Sequence, residues 1–201
     1  MEKDMLEFYK NALLGNATGK PLCDEYKKEW RACGDDKDKL MKFALRQSCL
    51  PFIFTLSYQG KGLSKEYLKE DFGEYINGRK TINDADGVEG YTYTLNVDLK
   101  HDWTTTTDVS AFMYCDNTMV IVPTCKCPVI YIGCKSDIHL ALDGYNSVRV
   151  HLFDESRLVV EDADEESSVI VYRYSNDARV ECGRYCFADV REFNKDLRLQ
   201  L

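Results

Sequence analysis

Short apolar rows recur about every ten residues through the last third of the chain, from Met119 to Leu201. Internal self-similarity at a fixed period is typical of repeat architectures. Within a row the apolar residues alternate with others, which is the period of a β-strand that buries one face. Residues that suit tight corners, namely Asn, Asp, Gly and Ser, separate the rows. The rows are centred on Val120–Val122, Val129–Tyr131, Ile138–Leu140, Val148–Val150, Leu158–Val160, Val169–Val171, Ala178–Val180, Ala188–Val190 and Leu197–Leu199.

This spacing fits two folds. The first is a β-solenoid or β-roll with two rows per coil, in which every second row stacks at a spacing of about twenty residues. The second is an antiparallel meander closed into a β-sandwich or barrel. We favour the solenoid, because Asp143-Gly144 alone among the turns between rows is typical of a two-residue hairpin.

Two rows per coil predict two stacked sets of inward-facing residues. The first set is Val148/Val150, Val169/Val171 and Val190. The second set is Ile138/Leu140, Leu158/Val160, Ala178/Val180 and Leu197/Leu199.

The first eighty residues predict a small helical subdomain. Apolar stripes, capping residues and Gly or Pro stops predict three helices, over residues 1–16, 22–32 and 35–49. The stretch Pro51–Leu56 is apolar and ambiguous between strand and buried helix. Ser64 begins a further amphipathic helix that we expect to reach Ile76.

The expected fold class is therefore α+β, with three parts. Residues 1–80 form a helical cap subdomain, and residues 81–110 form a connector that contains one strand. Residues 111–201 form the repetitive β domain.

The net charge of −8 and the pI of about 5.0 disfavour nucleic acid as a partner, because phosphate repels an acidic surface. The charged start MEKDMLEFYK predicts that there is no signal peptide. No run of residues approaches the eighteen apolar residues of a membrane span. We therefore expect a cytoplasmic protein with no membrane partner.

Four of the nine cysteines lie close together in sequence, at Cys115, Cys125, Cys127 and Cys134. Structural zinc sites place two to four residues between paired ligands, whereas Cys125 and Cys127 have one between them. We favour reduced, buried thiols and predict no metal, although the sequence leaves a site at these four open.

No motif of a catalytic nucleophile or cofactor site is present. The three histidines are His101, His139 and His151, and the last two fall between inward residues, so they are expected to face outward. No Ser or Cys lies in a nucleophile elbow, and no spacing singles out a pair of carboxylates. We predict no catalytic residues and no cofactor.

The segment from Asp154 to Glu166 is strongly acidic, with Arg157 as its one base. A solvated corner explains it, but a mimic of nucleic-acid charge is an alternative. The candidate acidic patch is Asp154, Glu155, Glu161, Asp162, Asp164, Glu165 and Glu166.

Two features predict contacts with a protein. Val159, Ile170 and Tyr172 are expected to point outward and form an apolar strip. The last row carries Leu197, Leu199 and Leu201 with no cap after it, and an uncapped coil exposes a pairing edge. We therefore expect two chains to meet end to end there as a homodimer, with the helical subdomain capping the other end.

A DNA-binding role for the helical subdomain is a weaker alternative. It would place Lys65, Lys69, Arg79 and Lys80 near DNA, but acidic residues interrupt any basic face.

Several segments resemble those of uncharacterised proteins encoded by phages and mobile elements of gut Bacteroidetes. These segments are Gly62–Leu68, Phe72, Tyr75–Gly78, Tyr114–Asp116 and the rows separated by Asn, Asp and Ser. The resemblance implies a phage or prophage context and carries over no activity and no site residue.

Together these observations predict a non-enzymatic protein-interaction or structural protein, of phage or mobile-element origin, with an unidentified protein partner. The alternatives are an acidic inhibitor that occupies the nucleic-acid site of a host protein and, more weakly, the DNA-binding regulator.

Overall fold

In a computed structural model, the chain is an α+β protein in which the described residues form four short helices followed by a parallel β-solenoid of about five turns. The structure describes residues 24–58, 60–83, 90–124, 126–162, 167–183 and 186–193. The helix expected over residues 1–16 and the row Leu197–Leu199 lie outside these ranges.

The helices begin where the sequence supplies a capping side chain. Asp36 and Ser64 each accept a hydrogen bond from the backbone N–H three residues later, which satisfies one of the free donors of the first turn. The ambiguous stretch after Cys49 is helical. The helix from Ser64 ends at Asp71, short of the expected Ile76. The four helices are α1 (Asp24–Cys33), α2 (Lys37–Ala44), α3 (Leu50–Tyr58) and α4 (Lys65–Asp71).

Twelve strands follow among the described residues, and from β2 onward they belong alternately to two sheets. The strands are β1 (Ile82–Asn83), β2 (Thr92–Val97), β3 (Trp103–Thr104), β4 (Val109–Met113), β5 (Thr118–Val122), β6 (Val129–Gly133), β7 (Asp137–Leu142), β8 (Ser147–Leu152), β9 (Arg157–Asp162), β10 (Ser168–Arg173), β11 (Arg179–Cys182) and β12 (Ala188–Glu192).

From β2 onward, even-numbered strands stack in parallel in one sheet and odd-numbered strands stack in parallel in the other, while β1 joins the sheet of the even-numbered strands. The seven-stranded sheet has the order β1-β2-β4-β6-β8-β10-β12, and the five-stranded sheet has the order β11-β9-β7-β5-β3. Only β1 pairs antiparallel, with β2, among the described strands. Two rows per coil are therefore confirmed. The parallel stack already includes β2 and β3, which lie inside the segment expected to be a connector.

The predicted vertical stacking is confirmed in both sheets, with one correction. Val148 aligns with Val169 and Val150 with Val171, and Val190 aligns with Val171. Ile138 and Leu140 align with Leu158 and Val160.

The last described row of the five-stranded sheet, β11, departs from the predicted alignment. Leu158 aligns with Val180 and Val160 with Cys182, so the predicted alignment of Ala178/Val180 is displaced by two residues. The coil from Leu158 to Val180 contains more residues than the other coils. The average spacing of the rows in the sequence does not show the length of a single coil.

At successive levels, a residue in the left-handed backbone conformation lies where the chain passes from the seven-stranded sheet to the five-stranded sheet. Asp98, Tyr114, Cys134 and Asp154 follow β2, β4, β6 and β8, with φ of 56°, 58°, 57° and 51°. Their stacked positions form one edge of the solenoid. Asn and Asp tolerate this conformation, whereas at Tyr114 and Cys134 it is held by the surrounding packing.

The start of the solenoid is closed by the chain itself. Ile76 bridges Leu95 on β2, and β1 covers the outer edge of that strand. The Trp103 ring packs on Gly78, where a Cβ would lie 2.5 Å from the ring, and Gly78 has the positive φ that glycine adopts freely. The first coil therefore has little exposed apolar interior.

The helical subdomain lies against a side of the solenoid, which corrects the expectation that it caps an end. Its core is continuous with the outward-facing side chains of β2, β4 and β6, including Tyr93, Val109 and Tyr131. Phe54 of α3 stacks on Phe153 with ring centroids 5.2 Å apart. Because helices cover their outer face, β4 and β6 are buried on both faces.

Gly133 should be intolerant of a side chain. A Cβ there would lie 2.3 Å from Cδ1 of Phe54, which is buried in the interface between helices and sheet. We expect Gly133→Ala to lower the free energy of unfolding by about 1–3 kcal/mol through overpacking. Urea denaturation followed by circular dichroism measures the change, and adding Phe54→Leu should recover part of it. Equal stability of Gly133→Ala and the unmodified protein would contradict this packing.

Candidate functional site

The last described row of each sheet lies at the C-terminal end of the solenoid. Within the described ranges, β12 has β10 on one side and no strand on the other, and β11 likewise has only β9. The Phe193 N–H donates to the Arg173 carbonyl of β10. Since successive residues of a strand point their backbone groups to opposite sides, those of Val190 point to the outer edge of β12.

The apolar interior of the solenoid reaches the surface at this end. Val150, Val171 and Val190 occupy equivalent inward positions in successive rows. Val150 and Val171 are fully buried, whereas Val190 is 39 % exposed. Phe187, just before β12, is 81 % exposed. An end of a solenoid that exposes both apolar side chains and backbone donors and acceptors is suited to pairing with another chain.

A cleft of about 900 Å³ adjoins this end at the corner between β10 and β11. Two of its three arginines are paired with acids. Arg157 donates to Glu181 at 2.8 and 2.9 Å, and Arg173 donates to Glu192 at 3.0 Å. The hydrogen bond from Arg157 holds the pKa of Glu181 below its usual value. These pairings neutralise much of the charge, so the cleft does not present a field of one sign.

An aromatic stack runs along the outer face of the seven-stranded sheet towards the same end. The His151 ring lies between Tyr131 and Tyr172, with centroids 4.5 and 5.0 Å away, and its Nδ1 is 2.9 Å from the Tyr174 hydroxyl. Burial, with a smaller contribution from the charge of Arg149, lowers the pKa of His151 to about 4. The ring is therefore neutral at pH 7 and acts as part of the packing.

The structure does not assemble the predicted apolar strip. Val159 belongs to the five-stranded sheet and is buried in register between His139 and Glu181. Ile170 and Tyr172 belong to the other sheet and are half-buried. Consecutive rows lie in different sheets, which explains the separation. Leu197, Leu199 and Leu201 lie outside the described residues.

The predicted acidic patch is also divided. Asp154 is buried and accepts hydrogen bonds from Cys134 N–H, Lys135 N–H and the Ser156 hydroxyl, and burial raises its pKa. Glu155 pairs with Lys135.

The other members of the patch lie elsewhere. Glu161 is hydrogen-bonded to His139 on the five-stranded sheet. Asp162 ends β9, and Asp164, Glu165 and Glu166 lie outside the described residues. A surface array of free carboxylates is not formed by the described members of the set.

The predicted cysteine cluster does not form a metal site in the described part of the chain. Cys115 and Cys134 are buried, and burial raises the pKa of both thiols, that of Cys115 to about 12. Cys127 is exposed, and Cys125 lies outside the described residues. Among the described residues, no group of three or more His, Cys, Asp or Glu side chains could hold a metal ion.

The basic residues of the DNA-binding alternative have partners within the chain. Lys65 and Lys69 pair with Asp98, and Lys80 pairs with Asp38. Arg79 donates to the Gly73 carbonyl at 3.1 Å. They therefore do not form an unpaired basic face.

Comparison with described protein families, curated proteins and solved structures found no match to this chain. The predicted phage or mobile-element origin stays a prediction. In the described part of the chain, each helix is too short or too polar to cross a bilayer.

The sequence predicted a pairing surface at this end and placed it on Leu197–Leu201, outside the described residues. The prediction did not include β12. On this strand Asp189 and Arg191, the neighbours of Val190 in sequence, share the outer face, and Arg191 donates to Asp189 at 2.8 and 2.9 Å. The signal was present in the sequence as opposite charges two residues apart on the last row of the first stacked set.

The free energy of unfolding should fall as the pH drops from about 6.5 to about 4. The unfolded chain binds a proton at His151 near pH 6.5, whereas the folded chain does so only near pH 4, so acid favours unfolding in this window. The loss from this residue is about 3 kcal/mol. Urea denaturation across the window measures it.

His151→Phe should remove this part of the pH dependence, while Tyr174→Phe, which keeps the buried imidazole, should retain it. Identical pH profiles for the unmodified protein and His151→Phe would contradict the assignment.

Proposed function

We propose that this chain is a non-enzymatic protein-interaction protein that binds a protein partner through the C-terminal end of its solenoid. The exposure of Val190 carries the proposal. The Val190 side chain occupies an inward position. In earlier coils the equivalent valine is buried by the next row, but on β12 Val190 is 39 % exposed.

The chemistry of this surface suits the addition of a strand. The outer edge of β12 offers the backbone N–H and C=O groups of alternate residues, and such groups give affinity when a partner strand pairs with them. The side chain of Phe187, which is 81 % exposed, offers an aromatic anchor beside that edge.

The rest of the described solenoid lacks this combination. The N-terminal end is covered by β1 and the Trp103–Gly78 contact, and helices cover the outer face of β2, β4 and β6. Binding through the C-terminal end would leave these parts unchanged. The helical subdomain would then serve to stabilise the sheet from the side.

Photo-crosslinking in the producing cell tests the proposal. A benzophenone amino acid replaces Phe187 in one variant and Tyr145, a corner residue that is 57 % exposed, in the control. We expect a protein adduct at position 187, because a bound partner would lie within reach of that side chain. The adduct's mass and peptide composition identify the partner.

Little or no adduct is expected from position 145, which lies at the corner before β8. Equal adducts from both positions, or none from position 187, would contradict binding at the C-terminal end.

A further inference from the structure

We propose that the partner is a second copy of this chain, and that β12 pairs antiparallel with β12 of that copy about a twofold axis at Val190. The inference rests on the proposed function, since it requires the C-terminal end to be the binding surface. It specifies the partner, the strand, the direction of pairing and the register.

The backbone of β12 has the phase that this axis requires. A residue on the twofold axis of an antiparallel pair faces itself, so it forms two hydrogen bonds only if its N–H and C=O both point outward. Those of Val190 do, because Phe193 and the other odd-numbered residues face β10. An axis at Asp189 or Arg191 would face two residues whose backbone groups point the other way.

The side chains are complementary about the same axis. In this register Asp189 lies opposite Arg191 of the second copy, and Arg191 lies opposite Asp189 of that copy. These are non-hydrogen-bonded positions, where facing side chains approach most closely. The sequence Asp-Val-Arg thus forms two opposite-charge pairs with itself across the axis. Both residues lie on the outer face of the sheet, and Arg191 is exposed.

The apolar end of the interior is covered in the same arrangement. Val190 would contact Val190 of the second copy on the inward side, where Val171 lies beneath it in register. A valine at this level is fully buried in the earlier rows, at Val150 and Val171. The dimer would therefore extend the core of one solenoid into the core of the other.

A second copy suits this edge better than an unrelated strand. Charges of opposite sign at equal distances from Val190 are self-complementary, and a twofold interface closes without leaving a further edge for filament growth.

Charge reversal tests the register. We expect the unmodified protein to sediment as a dimer of 46.4 kDa, twice the chain mass of 23.2 kDa. Asp189→Arg places arginine opposite arginine, and Arg191→Asp places aspartate opposite aspartate. Each variant alone should dissociate at least about tenfold more readily, because like charges face each other twice per dimer. Sedimentation equilibrium measures the dissociation constants.

An equimolar mixture of the two variants should recover a dimer, because each chain then carries the charges opposite to those of its partner. Native mass spectrometry, with one variant isotopically labelled, should show that this species contains one chain of each kind. The circular dichroism spectrum of each variant alone should match that of the unmodified protein, and each should unfold in one cooperative thermal transition, so that loss of the dimer is not loss of the fold.

A monomeric unmodified protein, unchanged dimerisation of both variants, or a mixture that stays monomeric would overturn the inference. The proposed function would survive that result if the adduct at position 187 contained a different protein. It would fail with the inference if no adduct formed there.

Discussion

The structure depends on the in-register stacking of apolar side chains in parallel rows. In the middle rows, each inward valine, leucine or isoleucine is covered above and below by its equivalents about one coil away, as Val150 and Val171 are. Burial of this kind supplies most of the favourable free energy of folding, and it is available only to residues that have a row on each side. The two ends of the stack are consequently the places where an apolar interior must be covered by something else.

The two ends of this solenoid differ. At the first coil the inward side chains are largely polar, and the hydroxyls of Thr94, Thr107 and Ser110 bond to one another at 3.0–3.2 Å. The last described row of the seven-stranded sheet is apolar at Val190. The helical subdomain adds a lateral contact, and its stacking of Phe54 on Phe153 begins the aromatic series that reaches Tyr174. These contacts lie away from the last described row at β12.

The sequence predicted the solenoid because the side-chain alternation and the row spacing are local patterns, repeated often enough to be measured. The capping roles of Asp36 and Ser64 were likewise readable from one turn of sequence. The lateral position of the helices was not, because continuous burial in β4 and β6 follows from a distant segment.

The candidate surfaces show the same division between local and long-range information. Asp154 looks like a surface acid by composition, yet its corner position and three hydrogen-bond donors bury it. Val159, Ile170 and Tyr172 alternate as predicted, but stacking of every second row places Val159 in a different sheet from Ile170 and Tyr172, so the three side chains do not form one strip. An exposed apolar end was predicted for the last row at Leu197–Leu201, which lies outside the described residues, whereas the exposed Val190 lies one row earlier, on β12. The proposed pairing strand and register depend on which residues of β12 point their backbone N–H and C=O groups away from β10, and the sequence does not show this.

Hydrogen exchange at two neighbouring amides tests the central claim most directly. The Arg191 N–H faces β10, whereas the Val190 N–H faces the outer edge of β12. If two copies pair there, NMR at high protein concentration should show both amides protected, with protection of Val190 alone lost on dilution or in Arg191→Asp. A Val190 amide that exchanges as fast as an exposed amide at every concentration, beside a protected Arg191, would show that no strand covers this edge.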